Sequence, residues 1–198
     1  MYKISPHYII NDFKLPLDLD SKIKIFIDRT MGWQLDIAEK CINGEKDSNG
    51  KIIRQPLPGS GFAILLMVLS FFEMLAKYQD GYVERNEGKS KYYFKKGLLT
   101  VFPNISQIPE DCANDLLDVF YDVRCGLYHS ANTNARIFLT GETCDPLGYN
   151  EQNKLVILNP HLFVPSIRKY FEIYVSQLKD PLNTQLRQKF NNRFNFDN

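Results

Sequence analysis

An arginine and a histidine stand five positions apart in the second half of the chain, at Arg124 and His129. The arginine guanidinium is always charged, and its planar fork of donors matches the oxygens of a phosphate. The imidazole of histidine accepts and releases a proton near neutral pH. Together the two side chains can bind a phosphate and move protons around it, which is the smallest set of groups that RNA cleavage without a metal requires.

The residues around Arg124 place it on the buried side of a predicted helix. The apolar residues that share its stripe at helical spacing are Ala113, Leu117, Phe120 and Leu127. A buried guanidinium needs a carboxylate, a set of carbonyls or an incoming anion as its partner. The structural alternative is therefore an ion pair with Glu73, Asp118 or Asp122. For His129 the alternative is a helix-terminal residue that binds the last carbonyls.

The segment YDVRCGLYH, residues 121–129, resembles the signature of the HEPN superfamily (higher eukaryote and prokaryote nucleotide-binding domains). In that signature an arginine is followed, after four to six residues, by a histidine at the end of a core helix. The resemblance implies a small helical bundle and assigns Arg124 and His129 to an active site. It also implies a metal-independent endoribonuclease of a toxin–antitoxin or phage-defence system that acts as a homodimer. Active members usually carry a polar residue after the arginine, where this chain has Cys125.

The spacing of the pair limits how a site can be built. Residues five apart in an unbroken helix point about 140° away from each other. Either the helix ends near Gly126 and His129 turns back, or the site is composite across the two-fold axis of a homodimer. We favour the homodimer. There His129 would deprotonate the ribose 2′-hydroxyl or protonate the leaving 5′-oxygen, while Arg124 stabilises charge on the phosphate.

Cations and aromatic rings alternate in KSKYYFKK, residues 89–96, as single-stranded RNA binding requires. The candidate RNA-binding residues, a weak prediction, are Lys91, Tyr92, Lys95 and Lys96. The alternative is a lysine-coated amphipathic helix whose rings lie in the core. Residues 110–152 hold eight acids and two bases, and this local charge of −6 disfavours RNA. Glu73 and Tyr128 are candidate supporting residues for the motif.

Carboxylates also recur along the helix that carries the motif. They are Asp111, Asp115, Asp118 and Asp122. Such a stripe is usually a solvated helix face, so we predict no metal site and no cofactor. Two hypotheses of other classes remain beside the ribonuclease. One is a catalytically inactive HEPN-like module that dimerises and binds a protein or nucleotide partner through residues 44–60 or the third helix. The other is an unrelated bundle in which Arg124 forms only a core ion pair.

The elements that must position these residues are mostly helical. Apolar periodicity and capping signals predict helices at about 19–43, 60–80, 90–101, 109–128 and 159–178 and a basic C-terminal helix at about 181–195. Residues 1–18 form an irregular lead-in, and 44–61 an exposed loop. The runs at 135–140 and 154–158 predict a β-hairpin inserted before the last long helix. We therefore predict an all-α, up-and-down, HEPN-like bundle as one domain, with its core at about 60–180.

Composition excludes several classes of protein. With 44% hydrophobic residues and a net charge of +1, the chain is neither intrinsically disordered nor a polybasic nucleic-acid or membrane binder. The longest apolar run, 61–72, is too short to cross a bilayer and leads into charged residues, so we predict a core helix there and no membrane partner. Four scattered cysteines without a secretory leader favour reduced thiols and a cytoplasmic location. The expected partners are RNA, a second copy of the chain and an antitoxin or other protein.

Overall fold

The computed structural model describes residues 3–83, 87–130 and 136–197, and these are mostly helical with two small sheets. The helices are α1 (Leu19–Thr30), α2 (Asp36–Asn43), α3 (Gly61–Val68), α4 (Ser70–Asp80), α5 (Ser90–Val101), α6 (Glu110–Ser130), α7 (Pro160–Lys179) and α8 (Thr184–Asp197). The strands are β1 (Glu45–Lys46), β2 (Ile52–Arg54), β3 (Ile137–Leu139), β4 (Leu147–Asn150) and β5 (Leu155–Leu158). The predominance of helix confirms the all-α prediction at this level.

The first two helices form one continuous rod with a widened turn, Met31–Leu35, between them. The backbone N–H of Asp36 donates to the carbonyl of Met31, a bond that spans one residue more than in an α-helix. The rod ends at Gly44, whose φ of 71° suits glycine. The long first helix that the sequence predicts is thus present. Trp33 and Ile37, two of its apolar positions, are nevertheless 48% and 41% exposed.

The predicted second helix is divided at Leu69 into α3 and α4. Its central residues Phe71, Phe72 and Leu75 are fully buried. By length and composition, Gly61–Asp80 is the one helical stretch of the described chain that can cross a membrane, but half of it is buried inside the fold. This burial is typical of a core helix of a globular protein.

Helices α4 and α5 pack with their backbones in close contact. A Cβ built on Gly97 of α5 would lie 1.9 Å from the carbonyl oxygen of Phe72 in α4, so only glycine fits at this crossing. The rings of Phe72 and Phe94 meet edge to face, with centroids 5.8 Å apart. This contact brings α5 against the part of α4 that contains Glu73.

The β-structure differs from the predicted hairpin. The runs at 135–140 and 154–158 do contain strands, β3 and β5, but these pair in parallel. The connection between them contributes β4, which pairs antiparallel with the other edge of β5, so the strand order is β3-β5-β4. The connection is long enough to hold a strand, and this allows the parallel pairing. The predicted loop at 44–61 also contains a short antiparallel pair, β1 and β2.

The last two helices close the core. Asn159 caps α7 by accepting the backbone N–H of His161 at 3.0 Å, and Pro160 occupies the first turn, as the sequence predicts. The C-terminal helix begins at Thr184, three residues after the predicted start. One cluster of buried apolar residues extends from Ile23 in α1 to Phe194 in α8. The core therefore begins well before residue 60 and includes α8.

Asp115 connects α6 to the sheet. Its carboxylate accepts two bonds from the Arg136 guanidinium, at 2.8 and 3.0 Å, and one from the Tyr149 hydroxyl. Burial raises the pKa of Asp115, but the bonds from Tyr149 and Arg136 outweigh it and lower the pKa below its usual value. Burial and the same carboxylate raise the pKa of Tyr149 to about 12. Asp115 therefore stabilises the fold above its unfolded pKa of about 4, and this contribution is lost as the pH falls through the lowered value.

Asp115→Asn is expected to reduce the free energy of unfolding by about 1–2 kcal/mol at neutral pH, since charge-assisted hydrogen bonds are lost from a partly exposed group. The deficit relative to wild type should shrink as the pH falls from about 4 through the lowered pKa of Asp115, since the carboxylate of the unfolded wild-type chain is protonated first and that of the folded protein follows. Urea denaturation of both proteins at neutral and acidic pH measures this difference. Asp145→Asn, at an exposed position, serves as the control. A deficit that is equal at both pH values would contradict the prediction.

Candidate functional site

Helix α6 carries both motif residues and continues without interruption through Gly126 to Ser130. The sequence offered a helix end near Gly126 as one way to turn His129 back, and this alternative is wrong. Glycine inside a helix costs only about 1 kcal/mol. Burial of Val119, Phe120 and Val123 on the preceding turns anchors the helix on the core. Arg124 and His129 therefore keep the angular separation of an unbroken helix.

Arg124 lies beside α4 and forms the ion pair that the structural alternative named. Its Nη2 is 3.0 Å from Oε2 of Glu73. The same carboxylate accepts Lys77 Nζ at 2.5 Å through its other oxygen and the Ser90 hydroxyl at 2.7 Å. The side chains of Arg124 and Glu73 are 23% and 13% exposed. Glu73 is thus a direct neighbour of Arg124.

The guanidinium of Arg124 also lies near two tyrosine rings. Its Cζ is 5.6 Å from the ring centroid of Tyr128 and 5.9 Å from that of Tyr121. Its Nη1 approaches the thiol of Cys125 at 3.9 Å. Its Nε is buried and has no hydrogen-bond acceptor among the described residues. Arg124 therefore retains a donor that its present partners do not use.

His129 lies on a different side of α6, in a cavity of about 480 Å³. Cys125 precedes it by one helical turn and lines the same cavity, as does Arg136. The imidazole is exposed and makes no side-chain hydrogen bond to any residue that the structure describes. It is therefore accessible to solvent and to a bound ligand.

The two motif side chains line separate cavities. Arg124 borders a pocket of about 250 Å³ between α4, α6 and α8, whereas His129 borders the cavity next to Arg136. This separation is compatible with the composite alternative that the spacing left open, in which a second protomer completes the site.

The predicted RNA-binding residues of α5 are occupied by ion pairs. Lys91 and Lys95 bind Oδ1 of Asp118 at 2.5 and 2.8 Å, and Lys96 binds the last carboxylate of α4 at 2.6 Å. The hydrogen bond to Asp118 raises the pKa of Lys91. Burial raises the pKa of Asp118, but the bonds from Lys91 and Lys95 outweigh burial and lower it. Tyr92 is 57% exposed. The three lysines therefore share two carboxylates, which leaves a net charge of +1, and Tyr92 is the ring of this segment that is exposed for stacking.

The carboxylates of α6 bind different neighbouring elements. Asp115 binds residues next to and within the sheet, and Asp118 binds the lysines of α5. Across residues 3–83, 87–130 and 136–197, no group of three or more His, Cys, Asp or Glu side chains is arranged to hold a metal ion.

Two cations near the motif were not among the predicted site residues. Lys77 belongs to a polar stripe, with Ser70 and Glu73, that helical spacing places on one face of α4. Arg193 reaches the same pocket from α8. Nothing in the sequence near Arg193 signals this contact, because it depends on how the C-terminal helix packs on α4.

Comparisons with protein-family models, with curated proteins and with solved structures found no match to this chain.

Proposed function

We propose that this protein is a HEPN-like endoribonuclease that cleaves RNA without a metal, at a site completed by a second copy of the chain. In each site Arg124 of one protomer stabilises charge on the scissile phosphate, and His129 of the partner subunit transfers the proton. The 2′-hydroxyl attacks the phosphorus and the 5′-oxygen leaves. The mostly helical architecture with two small sheets supports the proposal of an up-and-down, HEPN-like bundle around α6. The proposed setting is a cytoplasmic toxin–antitoxin or phage-defence system with an antitoxin as protein partner.

The observation that carries this proposal is that both motif side chains have hydrogen-bonding groups without a partner among the described residues. The Nε of Arg124 is buried without an acceptor, and His129 is exposed without a hydrogen-bond partner, within the described part of the chain. A residue that serves only the architecture normally has its buried donors satisfied. Both groups can therefore accept a further partner.

Exposed apolar side chains support association of two copies. Five large apolar side chains are each more than a third exposed on elements that pack against one another. They are Trp33, Ile37, Phe62, Leu66 and Tyr128. Phe62 and Leu66 are one turn apart on the same face of α3. Apolar side chains of this kind are enriched at interfaces between subunits, and the two-fold axis of a homodimer allows the same surface to be used twice.

The purified protein is expected to cleave single-stranded RNA in the presence of EDTA and to leave 2′,3′-cyclic phosphate ends, because 2′-hydroxyl attack needs no metal in this mechanism. Mass spectrometry of the fragments identifies the ends, and light scattering measures the mass of the particle. A stable monomer, or cleavage that depends on added divalent metal, would contradict the proposal.

The second candidate is the catalytically inactive, dimerising HEPN-like module that binds a protein or nucleotide partner. Two observations favour it. Glu73 already pairs with Arg124, and the three candidate RNA-binding lysines of α5 are paired with two carboxylates, Asp118 and the last residue of α4. This candidate predicts a dimer that leaves RNA intact under all ionic conditions. The same assay with EDTA therefore distinguishes the two functions.

A further inference from the structure

A groove runs along the surface between α1 and α7. It consists of two adjoining cavities with volumes of about 590 and 410 Å³. Ile27, Met31 and Lys179 line both cavities and so connect them. Small-molecule sites typically have volumes of about 300–1,000 Å³. The groove is therefore large enough for a small ligand.

The floor of the groove is apolar. Ile23, Ile27 and Met31 follow one another at intervals of four residues and therefore lie on one side of the first helical rod. Phe171 and Val175 have the same spacing on α7 and line the smaller cavity. Ile27 and Met31 are only partly buried, so part of their apolar surface is accessible to a ligand. An apolar chain that lies along the groove would be removed from water here.

Two lysines line the groove without a carboxylate partner among the described residues. The Nζ of Lys24 is 4.6 Å from the ring centroid of Tyr8, and this contact with the ring face leaves its N–H donors available. The ammonium group of Lys179 makes no ion pair or side-chain hydrogen bond to any residue that the structure describes. Both lysines are exposed, so a ligand can reach them.

The carboxylates of the larger cavity are bound to other groups. Asp20 accepts Nη2 of Arg187 at 3.0 Å. Asp28 accepts the Ser5 hydroxyl at 2.5 Å and the backbone N–H of His7 at 2.9 Å, and Nδ1 of the same histidine lies 2.6 Å from its other oxygen. These contacts hold both carboxylates away from the two lysines. An anion that enters the groove can therefore bind the ammonium groups without displacing a carboxylate.

The lysines and the apolar floor are arranged from one end of the groove to the other. Lys179 is the last residue of α7, and Phe171 precedes it by eight residues, which is about 12 Å along a helix. Glu172 lies at the Phe171 end, where it disfavours a negatively charged group. The groove therefore has a cationic end and an apolar end.

We infer that this groove binds a medium-chain fatty acid. The carboxylate binds Lys24 and Lys179, and the alkyl chain extends past Ile27 and Met31 towards Phe171. A single chain with one negative charge at its end matches an apolar floor with cations at one end. The inference does not depend on RNA cleavage, because neither motif residue lines the groove.

Isothermal titration calorimetry with sodium decanoate, below the concentration at which it forms micelles, tests the site. We expect one saturable site per chain. Octanoate should bind roughly 15-fold more weakly, because each buried methylene group contributes about a factor of four. Decyltrimethylammonium has the same chain with the opposite charge, and we expect it to bind at least about tenfold more weakly than decanoate.

Variants of the groove test both of its ends. Lys24→Gln and Lys179→Gln are each expected to weaken decanoate binding roughly tenfold, since each removes a charge-assisted bond. Lys169→Gln is the matched control, because Lys169 is exposed on α7 and lines neither cavity. Ser176→Trp places an indole in the smaller cavity and should prevent binding. Gln177→Trp, at the next exposed position of α7, should bind like the wild type.

Circular dichroism confirms that each variant is folded before titration. Four results overturn the inference. They are the absence of saturable decanoate binding to the wild type, equal affinity for decanoate and decyltrimethylammonium, unchanged affinity in both groove-lysine variants, and equal weakening by the two tryptophan variants. Binding to vesicles of anionic phospholipid without binding of decanoate also overturns it, because the groove would then contact a membrane surface rather than a free fatty acid.

Discussion

His129→Ala and Arg124→Ala are each expected to lower the rate of RNA cleavage at least about 100-fold. The first variant lacks the proton-transfer group, and the second lacks the positive charge that stabilises the scissile phosphate. In the composite arrangement, the two residues of one site belong to different protomers. The unbroken α6 directs the two side chains of one protomer into separate cavities, so each site would draw Arg124 from one chain and His129 from the other.

Mixing the two variants should therefore restore activity. A dimer of one Arg124→Ala chain and one His129→Ala chain contains one site with both native residues and one site with neither. Random association of equal amounts makes half of the dimers mixed, so about a quarter of the wild-type rate is expected. The proteins are co-expressed with different affinity tags, and cleavage is followed with a fluorescent RNA.

Two exposed residues outside the motif provide matched controls, His161→Ala and Arg54→Ala, which should cleave at the wild-type rate. Wild-type rates in both motif variants would disprove the ribonuclease. Two inactive variants whose mixture stays inactive would show that a site is not shared between protomers. In that case Arg124 and His129 act within one chain after a rearrangement of α6, or serve different purposes.

Gly97→Ala is expected to lower the free energy of unfolding by about 2–4 kcal/mol, the second large effect. The added methyl group would lie 1.9 Å from the carbonyl oxygen of Phe72, and this atom belongs to the backbone of α4, which cannot yield without moving the whole helix. The gain of about 1 kcal/mol in helix propensity on replacing glycine by alanine offsets only part of this cost.

Chemical denaturation with urea measures the loss, and Gly148→Ala is the control. Gly148 lies on β4, where a Cβ would be 4.0 Å from the nearest atom, that of Ile157, an ordinary contact distance. We expect little change there. If Gly97→Ala were as stable as wild type, α4 and α5 would be able to separate without cost, and the position of Glu73 beside Arg124 would no longer depend on this crossing.

Sequence signals such as caps and prolines were sufficient to predict the ends of a helix where its own residues determine them. The bounds of α5 agree with the prediction because Phe102-Pro103 ends the periodic segment, since a residue that precedes proline avoids the helical conformation. The start of α7 agrees because Asn159 and Pro160 are a cap and a first-turn residue. The pairing of Glu73 with Arg124 was among the stated alternatives, since a carboxylate on an otherwise apolar element needs a cation.

Non-local arrangements were not predictable in the same way. The parallel pairing of β3 with β5 depends on where the intervening segment folds, and its strand β4 gives no strong alternating pattern. The contribution of Arg193 to the pocket at Arg124 depends on the docking of α8. The sequence predicted α6 to about residue 128 but left a helix end near Gly126 open as an alternative, because the effect of a glycine on a helix depends on the residues that flank it.

The wide turn Met31–Leu35 determines which side chains of the turn and of α2 are exposed to solvent. With ordinary spacing from Ile23 and Phe26, the positions directed inward would include Trp33 and Ile37. One surplus residue shifts the inward set by one, to Ala38 and Ile42 on α2, and leaves the indole at the periphery. If the same residues were wound as an ordinary α-helix, α2 would be rotated by about 100°, and Trp33 and Ile37 would take inward positions in place of Ala38 and Ile42. The exposure of the apolar side chains Trp33 and Ile37 thus results from the winding of the backbone rather than from the composition of the segment.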